Sequence, residues 1–212
     1  YAEGRVATGS TELQNPTTVY NGVDYKLVYD YNYYINKYPD IKAAFNGDEN
    51  ATLRHFVECG MNEGRQGKAS FNVAAYRANY ADLRSAFGRN LKAYYMHYIG
   101  SGYREGRKAT GNGVLKNPVT VYNGVDYSLV YDYNYYISKY SDLKAAFYGD
   151  DTAALRHFVE CGMNEGRQAK DSFNVKKYKN RYNDLQNAFG NDLKSYYMHY
   201  IGSGYKEGRK GN

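Results

Sequence analysis

The sequence predicts a mainly α-helical chain of tandem repeats: two units of about 102 residues, each two three-helix half-units, with a short β-hairpin opening each unit. Three observations predict it. Asn15-Pro16 recurs as Asn117-Pro118, Tyr20 to Tyr25 as Tyr122 to Tyr127, and Cys59 to Arg65 as Cys161 to Arg167, always 102 apart, and about 67 of the 92 residues in 11–102 match their partners in 113–204. A fainter copy lies 42 residues on within each unit: Tyr38-Pro-Asp-Ile-Lys-Ala-Ala-Phe45 aligns with Tyr80-Ala-Asp-Leu-Arg-Ser-Ala-Phe87, His55 with His97, and Glu63-Gly-Arg65 with Glu105-Gly-Arg107. Helix starts and stops punctuate each half-unit, and one β-type segment punctuates each unit.

Along the chain, residues 1–10 read as the tail of a preceding repeat and a linker, because Tyr1-Ala-Glu-Gly-Arg5 matches Tyr103-Arg-Glu-Gly-Arg107. A longer array is therefore expected. Residues 11–107 form repeat unit 1, with half-units 26–67 and 68–107; residues 108–212 form a linker and repeat unit 2, with half-units 128–169 and 170–209. Val119-Thr-Val-Tyr122, Asn123-Gly124 and Val125-Asp-Tyr127, repeated from Thr18 to Tyr25, predict a hairpin, since Asn-Gly accepts the two left-handed turn residues. Within a half-unit, Asp30 or Ser70 precedes one short helix and Pro39-Asp40 opens a second. After Gly47 or Gly88, Asp48 or Asn90 caps a third and longer helix that stops at Gly60. Gly60 and Gly64 are expected as left-handed residues, with Glu-Gly-Arg as the closing turn.

The composition has 42% hydrophobic and 24% charged residues with only three Pro, enough for a buried core. Apolar runs fall far short of the roughly 20 residues that cross a bilayer, and no charged-then-apolar leader opens the sequence, so no membrane insertion is expected. The net charge of +6 is scattered, and the basic cluster Lys176, Lys177 and Lys179 has no counterpart in unit 1. No nucleic acid partner is expected.

Twenty-eight Tyr and no Trp are the compositional oddity. Tyrosines whose counterparts 42 residues away stay apolar read as scaffold: Tyr29 with Phe71, Tyr31 with Val73, Tyr34 with Tyr76, Tyr38 with Tyr80, Leu53 with Tyr95, Phe56 with Tyr98 and Met61 with Tyr103. Tyr33 aligns instead with Ala75, Tyr94 with Thr52 and Tyr148 with Asn46, while Tyr20 and Tyr25 lie on the hairpin that second half-units lack. Tyr20, Tyr25, Tyr33 and Tyr94, with their copies Tyr122, Tyr127, Tyr135 and Tyr196, are the candidate surface aromatics for a ligand, a rigid ring with a polar tip being suited to sugars or protein partners. Packing between repeats is the competing reading of the same residues.

No catalytic, metal or cofactor site is expected. His55, His97, His157 and His199 recur singly, without a second ligand one turn away, and read as structural hydrogen-bonding groups. Cys59 and Cys161 align with Ser101 and Ser203 and read as buried free thiols. Asp40, Asp82, Asp142 and Asp184 stand at helix starts. The turn pairs Glu63 and Arg65, Glu105 and Arg107, Glu165 and Arg167, and Glu207 and Arg209 read as structural, locking each turn and reaching toward the next unit. An active site is built once, whereas caps and turn locks are needed in every copy.

Tyr33-Tyr34, Tyr38-Pro-Asp-Ile41, Ala44-Phe45, Leu53-Arg-His-Phe56 and Gly60-Met-Asn-Glu-Gly-Arg65 resemble a short helical repeat of secreted and cell-surface proteins of Gram-positive anaerobes. The likeness covers all four half-units, although Ala81, Ser141 and Asn183 replace Pro39. It implies an extracellular, non-catalytic accessory role. The expectation is a monomeric repeat module that binds glycan, either cell-wall polymer or host glycoprotein, through repeated tyrosines whose weak contacts add. A structural stalk, or recognition of a host protein such as an immunoglobulin, is the alternative.

Overall fold

The structure, a computed structural model, describes residues 12–212. The preceding-repeat tail expected over 1–10 lies outside the described residues. In chain order the elements are β1 (Val19–Tyr20), β2 (Val23–Asp24), α1 (Tyr31–Lys37), α2 (Pro39–Phe45), α3 (Glu49–His55), α4 (Met61–Glu63), α5 (Val73–Asn79), α6 (Ala81–Phe87) and α7 (Leu91–His97), then β3 (Val121–Tyr122), β4 (Val125–Asp126), α8 (Tyr133–Lys139), α9 (Ser141–Phe147), α10 (Asp151–His157), α11 (Val175–Arg181), α12 (Asn183–Phe189) and α13 (Leu193–His199). Five-residue π-turns extend α3, α7, α10 and α13: Phe56–Gly60, Tyr98–Gly102, Phe158–Gly162 and Tyr200–Gly204. The molecule is thus mainly helical with two short hairpins, each ahead of a helix group. It divides into two compact units, one of residues up to 76 with 90–111, the other of 77–89 with 112–212.

In both hairpins the turn is Asn-Gly with φ positive at both residues, 48° and 77° at Asn21 and Gly22, 48° and 76° at Asn123 and Gly124. That geometry matches strand twist and pairs Val19 with Asp24 and Val121 with Asp126. The first and third helices of each half-unit start on a side-chain cap, whereas the second has none. Asp30 accepts from the Tyr33 N–H at 2.8 Å, Asp48 from Ala51 at 2.9 Å, and Asn90 from Ala93 at 3.2 Å. At α5 the cap is Asn72, which accepts from Ala75 at 3.0 Å, rather than the expected Ser70.

The third helix does not stop at Gly60. Gly60 keeps right-handed φ of −58°, and the stop is Gly64 at φ 74°. There the Arg65 N–H donates to the Gly60 carbonyl at 2.8 Å and the Gly64 N–H to Met61 at 3.3 Å, the paired bonds of a glycine-terminated helix. Gly106, Gly166 and Gly208 close the other half-units with positive φ. Gly60 serves a different need. A Cβ there would stand 2.6 Å from Tyr34 Oη, and at Gly102, Gly162 and Gly204 it would crowd the hydroxyls of Tyr76, Tyr136 and Tyr178 still more.

Aromatic rings fill each core. In the first unit Phe56 packs on Tyr29 (centroids 5.0 Å) and edge-on to Tyr95 (5.9 Å), while Phe71 packs on Tyr95 (5.0 Å) and Tyr98 (4.8 Å), joining its two half-units. The second unit repeats this through Phe158, Phe173, Tyr197 and Tyr200. One scaffold assignment is corrected: Met61 is buried, but Tyr103 and Tyr205 are 57% and 56% exposed. Met61 lies on α4, which packs against α7; Tyr103 only meets the Tyr98 edge at 6.0 Å. The cysteines are free but exposed, not buried as expected.

Candidate functional site

The hairpin and the start of the third helix enclose one groove in each unit. In the first unit Val19 and Tyr20 face Asp48, Asn50, Ala51, Leu53 and Arg54 across about 300 Å³. In the second, Tyr122, Asp150, Thr152, Ala153 and Arg156 line about 340 Å³, at positions 102 residues further on. Each groove therefore carries a half-exposed phenol ring, a carboxylate and a guanidinium. The ring is fixed at its tip: Tyr20 Oη donates to Glu58 and Tyr122 Oη to Glu160, both at 2.5 Å. That bond, made by the neutral phenol, moves both tyrosine pKa values up from 10.0. Asp48 and Asp150 are set by their capping bonds to α3 and α10.

Tyr33 and Tyr135 are also half-exposed, but each has a lysine on its face. Lys37 Nζ donates to Tyr33 Oη at 2.9 Å and to Gln66 at 2.6 Å, and lies 5.2 Å from the ring centroid; Lys139 treats Tyr135 and Gln168 alike. The remaining four candidates are not surface aromatics. Tyr25 and Tyr127 are 4% exposed, and Tyr94 and Tyr196 are fully buried. Tyr94 aligns with Thr52, which is itself buried because its hydroxyl reaches the Asp48 carbonyl at 2.7 Å; Tyr196 satisfies its own on the Gly190 carbonyl at 2.9 Å. A polar tip bonded to backbone lets the ring go inside. Tyr148, by contrast, is 48% exposed.

The histidines pair with tyrosines in every half-unit. Tyr34 Oη and His55 Nδ1 are 3.3 Å apart, Tyr76 and His97 2.9 Å, Tyr136 and His157 3.2 Å, and Tyr178 and His199 2.9 Å. Ser101 and Ser203 approach the other ring nitrogen of His97 and His199 at 3.3 Å.

The closing turns form a clasp inside each half-unit rather than a reach to the next. Arg65 donates to Glu63 and to Asp40 of α2, at 2.5 and 2.7 Å, and its guanidinium stacks 5.0 Å from the Tyr38 ring. Arg167 does the same with Glu165, Asp142 and Tyr140, and Arg209 with Glu207, Asp184 and Tyr182. Arg107 pairs with Glu105 at 2.5 Å. The arginine hydrogen bonds hold Asp40, Asp142 and Asp184 below the usual carboxylate range. Asp82 stands likewise in the first turn of α6.

Sequence reasoning named Asp48 only as a helix cap and missed its place in the groove, along with Arg54 and Glu58 and the copies Asp150, Arg156 and Glu160. A signal existed for the last pair: Glu58 aligns with Gly100, so this carboxylate, like the hairpin it holds, is confined to first half-units. Among the described residues no group of His, Cys, Asp and Glu is arranged to hold a metal ion, and no helix is long and apolar enough to cross a membrane. No protein-family model, curated protein or solved structure matches the chain.

Proposed function

We propose that the chain is a non-catalytic, extracellular repeat module that binds glycan through the groove between hairpin and third helix, once per unit. The observation that carries this reading is the groove's recurrence with the same chemistry, Tyr20, Asp48 and Arg54 reappearing as Tyr122, Asp150 and Arg156. A ring held by Glu58 offers an apolar face for a sugar's C–H groups, while the carboxylate and guanidinium offer an acceptor and donors for its hydroxyls. Shallow grooves of this size bind weakly one at a time, and two on one chain add by avidity. The extracellular setting rests on the resemblance to repeats of secreted proteins.

The test is binding of the full chain to purified Gram-positive cell walls and to an immobilised glycan and glycoprotein panel. Tyr20→Ala with Tyr122→Ala should lower the bound fraction at least about tenfold with circular dichroism unchanged, and either substitution alone should lower it less. Undiminished binding by the double variant would move the glycan contact away from these grooves, whereas no binding to any surface would favour a structural spacer. The burial of Tyr25, Tyr94, Tyr127 and Tyr196 is the observation on that side.

A further inference from the structure

Arg84 of α6 has every donor engaged. Its Nε donates to Asp151 at 3.2 Å, Nη1 to the Arg77 and Ala78 carbonyls at 3.1 and 3.0 Å, and Nη2 to the Lys116 and Asn117 carbonyls at 2.8 and 3.1 Å. These five acceptors match the five N–H groups of a guanidinium, and the side chain is 2% exposed. Arg77 and Ala78 belong to the end of α5, just ahead of α6; Lys116, Asn117 and Asp151 are the receiving side, all within the second unit.

The receiving side has a counterpart 102 residues earlier, at Gln14, Asn15 and Glu49, and the chain follows the same path there. Asn15 is left-handed at φ 52° as Asn117 is at 48°. The Thr17 N–H donates to Glu49 at 2.6 Å as Val119 does to Asp151 at 3.0 Å. Asn32 donates to the Leu13 carbonyl at 2.9 Å as Asn134 does to Leu115 at 3.2 Å. One backbone dihedral and two hydrogen bonds thus reproduce the receiving side in the first unit.

The donating side is selective. Where Arg84 stands, the other half-units carry Lys42, Lys144 and Gln186. Gln186 keeps one inner contact, donating to the Lys179 carbonyl at 2.9 Å in the place of Arg77's, but its short amide cannot present the outward fork.

We propose that the Gln14 and Asn15 carbonyls with the Glu49 carboxylate form a docking site for an α6-type helix of another copy of this repeat, seated by an arginine at the position of Arg84. One residue then decides whether a repeat locks onto its successor. The second unit, with Gln186, does not supply the guanidinium; Gln186→Arg does.

The full chain labelled with ¹⁵N is titrated with unlabelled Q186R chain up to about 1 mM, the weak end of specific association. Because α6 already carries arginine at the equivalent place, Q186R is expected to fold, which circular dichroism checks. The Thr17 amide should shift saturably with Q186R and stay unmoved with unlabelled wild type, and Glu49→Ala should weaken the interaction at least about tenfold. No Thr17 shift with folded Q186R, an equal shift with wild type, or association that survives E49A would each overturn the proposal.

Discussion

The Tyr29 and Tyr131 hydroxyls are buried without a hydrogen-bond partner. The equivalent positions in the second half-units are Phe71 and Phe173, equally buried, so the site accepts the ring alone. Tyr29→Phe and Tyr131→Phe should therefore be neutral or stabilise the fold by about 1 kcal/mol each, because an unsatisfied buried hydroxyl is removed and nothing else changes. Denaturant melts of the single variants check this; a clear loss would mean the hydroxyls have a partner. The interior tyrosines also set an alkaline limit. Burial pushes the Tyr133 hydroxyl up to about 12 from 10.0, and Tyr29, Tyr95, Tyr131 and Tyr197 further in the same direction. The folded state thus favours the neutral phenol, so its stability is fully present below about pH 10 and is lost as the pH climbs through about 12. Absorbance titration at 295 nm should show an exposed class ionising near the ordinary value and a buried class ionising only with loss of helical circular dichroism.

At the scale of elements, the π-turn explains the glycine at its own end, Gly60, Gly102, Gly162 or Gly204. Gly102 makes room for the Tyr76 hydroxyl beside His97, whereas a Cβ at Gly100, two residues earlier in the same turn, would meet nothing within 4 Å. Gly102→Ala should cost about 1–3 kcal/mol through overpacking and loosen the Tyr76 to His97 bond. Gly100→Ala should be neutral or gain about 0.4–1 kcal/mol. Paired thermal melts, with the His97 ring followed by NMR, distinguish the two. The same elements mark what the sequence could and could not tell. Asn21-Gly22 names its turn, and Asp30 and Asp48 name their helix starts, because those backbone geometries admit few residue types. The π-turns leave no such trace, since Phe-Val-Glu-Cys-Gly and Tyr-Ile-Gly-Ser-Gly share little but a final glycine. The surface tyrosines were half legible: a residue aligned with Thr52 or Ala75 in the repeat looks exposed, yet both of those are buried, so a polar or small counterpart does not mark a surface position.

At the scale of the molecule, the compact units do not follow the sequence period, because residues 77–89 belong with the second unit. Arg84 is one polar reason, holding the segment before β3 to α6 and α10, beside the Arg77 bond to the Tyr148 carbonyl and the Lys116 N–H bond to the Ala78 carbonyl. Arg84→Ala should cost about 3–5 kcal/mol, since it strands the buried Asp151 carboxylate. Arg84→Lys should recover only part of that, a point charge lacking the planar fork. Hydrogen exchange checks both: protection at the Lys116 and Val119 amides should fall while α1 to α3 keep theirs. A last property follows from the two cysteines. One exposed free thiol stands at the same place in each repeat, Cys59 and Cys161. The chain therefore carries a matched pair of attachment points for a fluorescent donor and acceptor, and energy transfer between them is a ruler for the spacing of its repeats that needs no engineered residue.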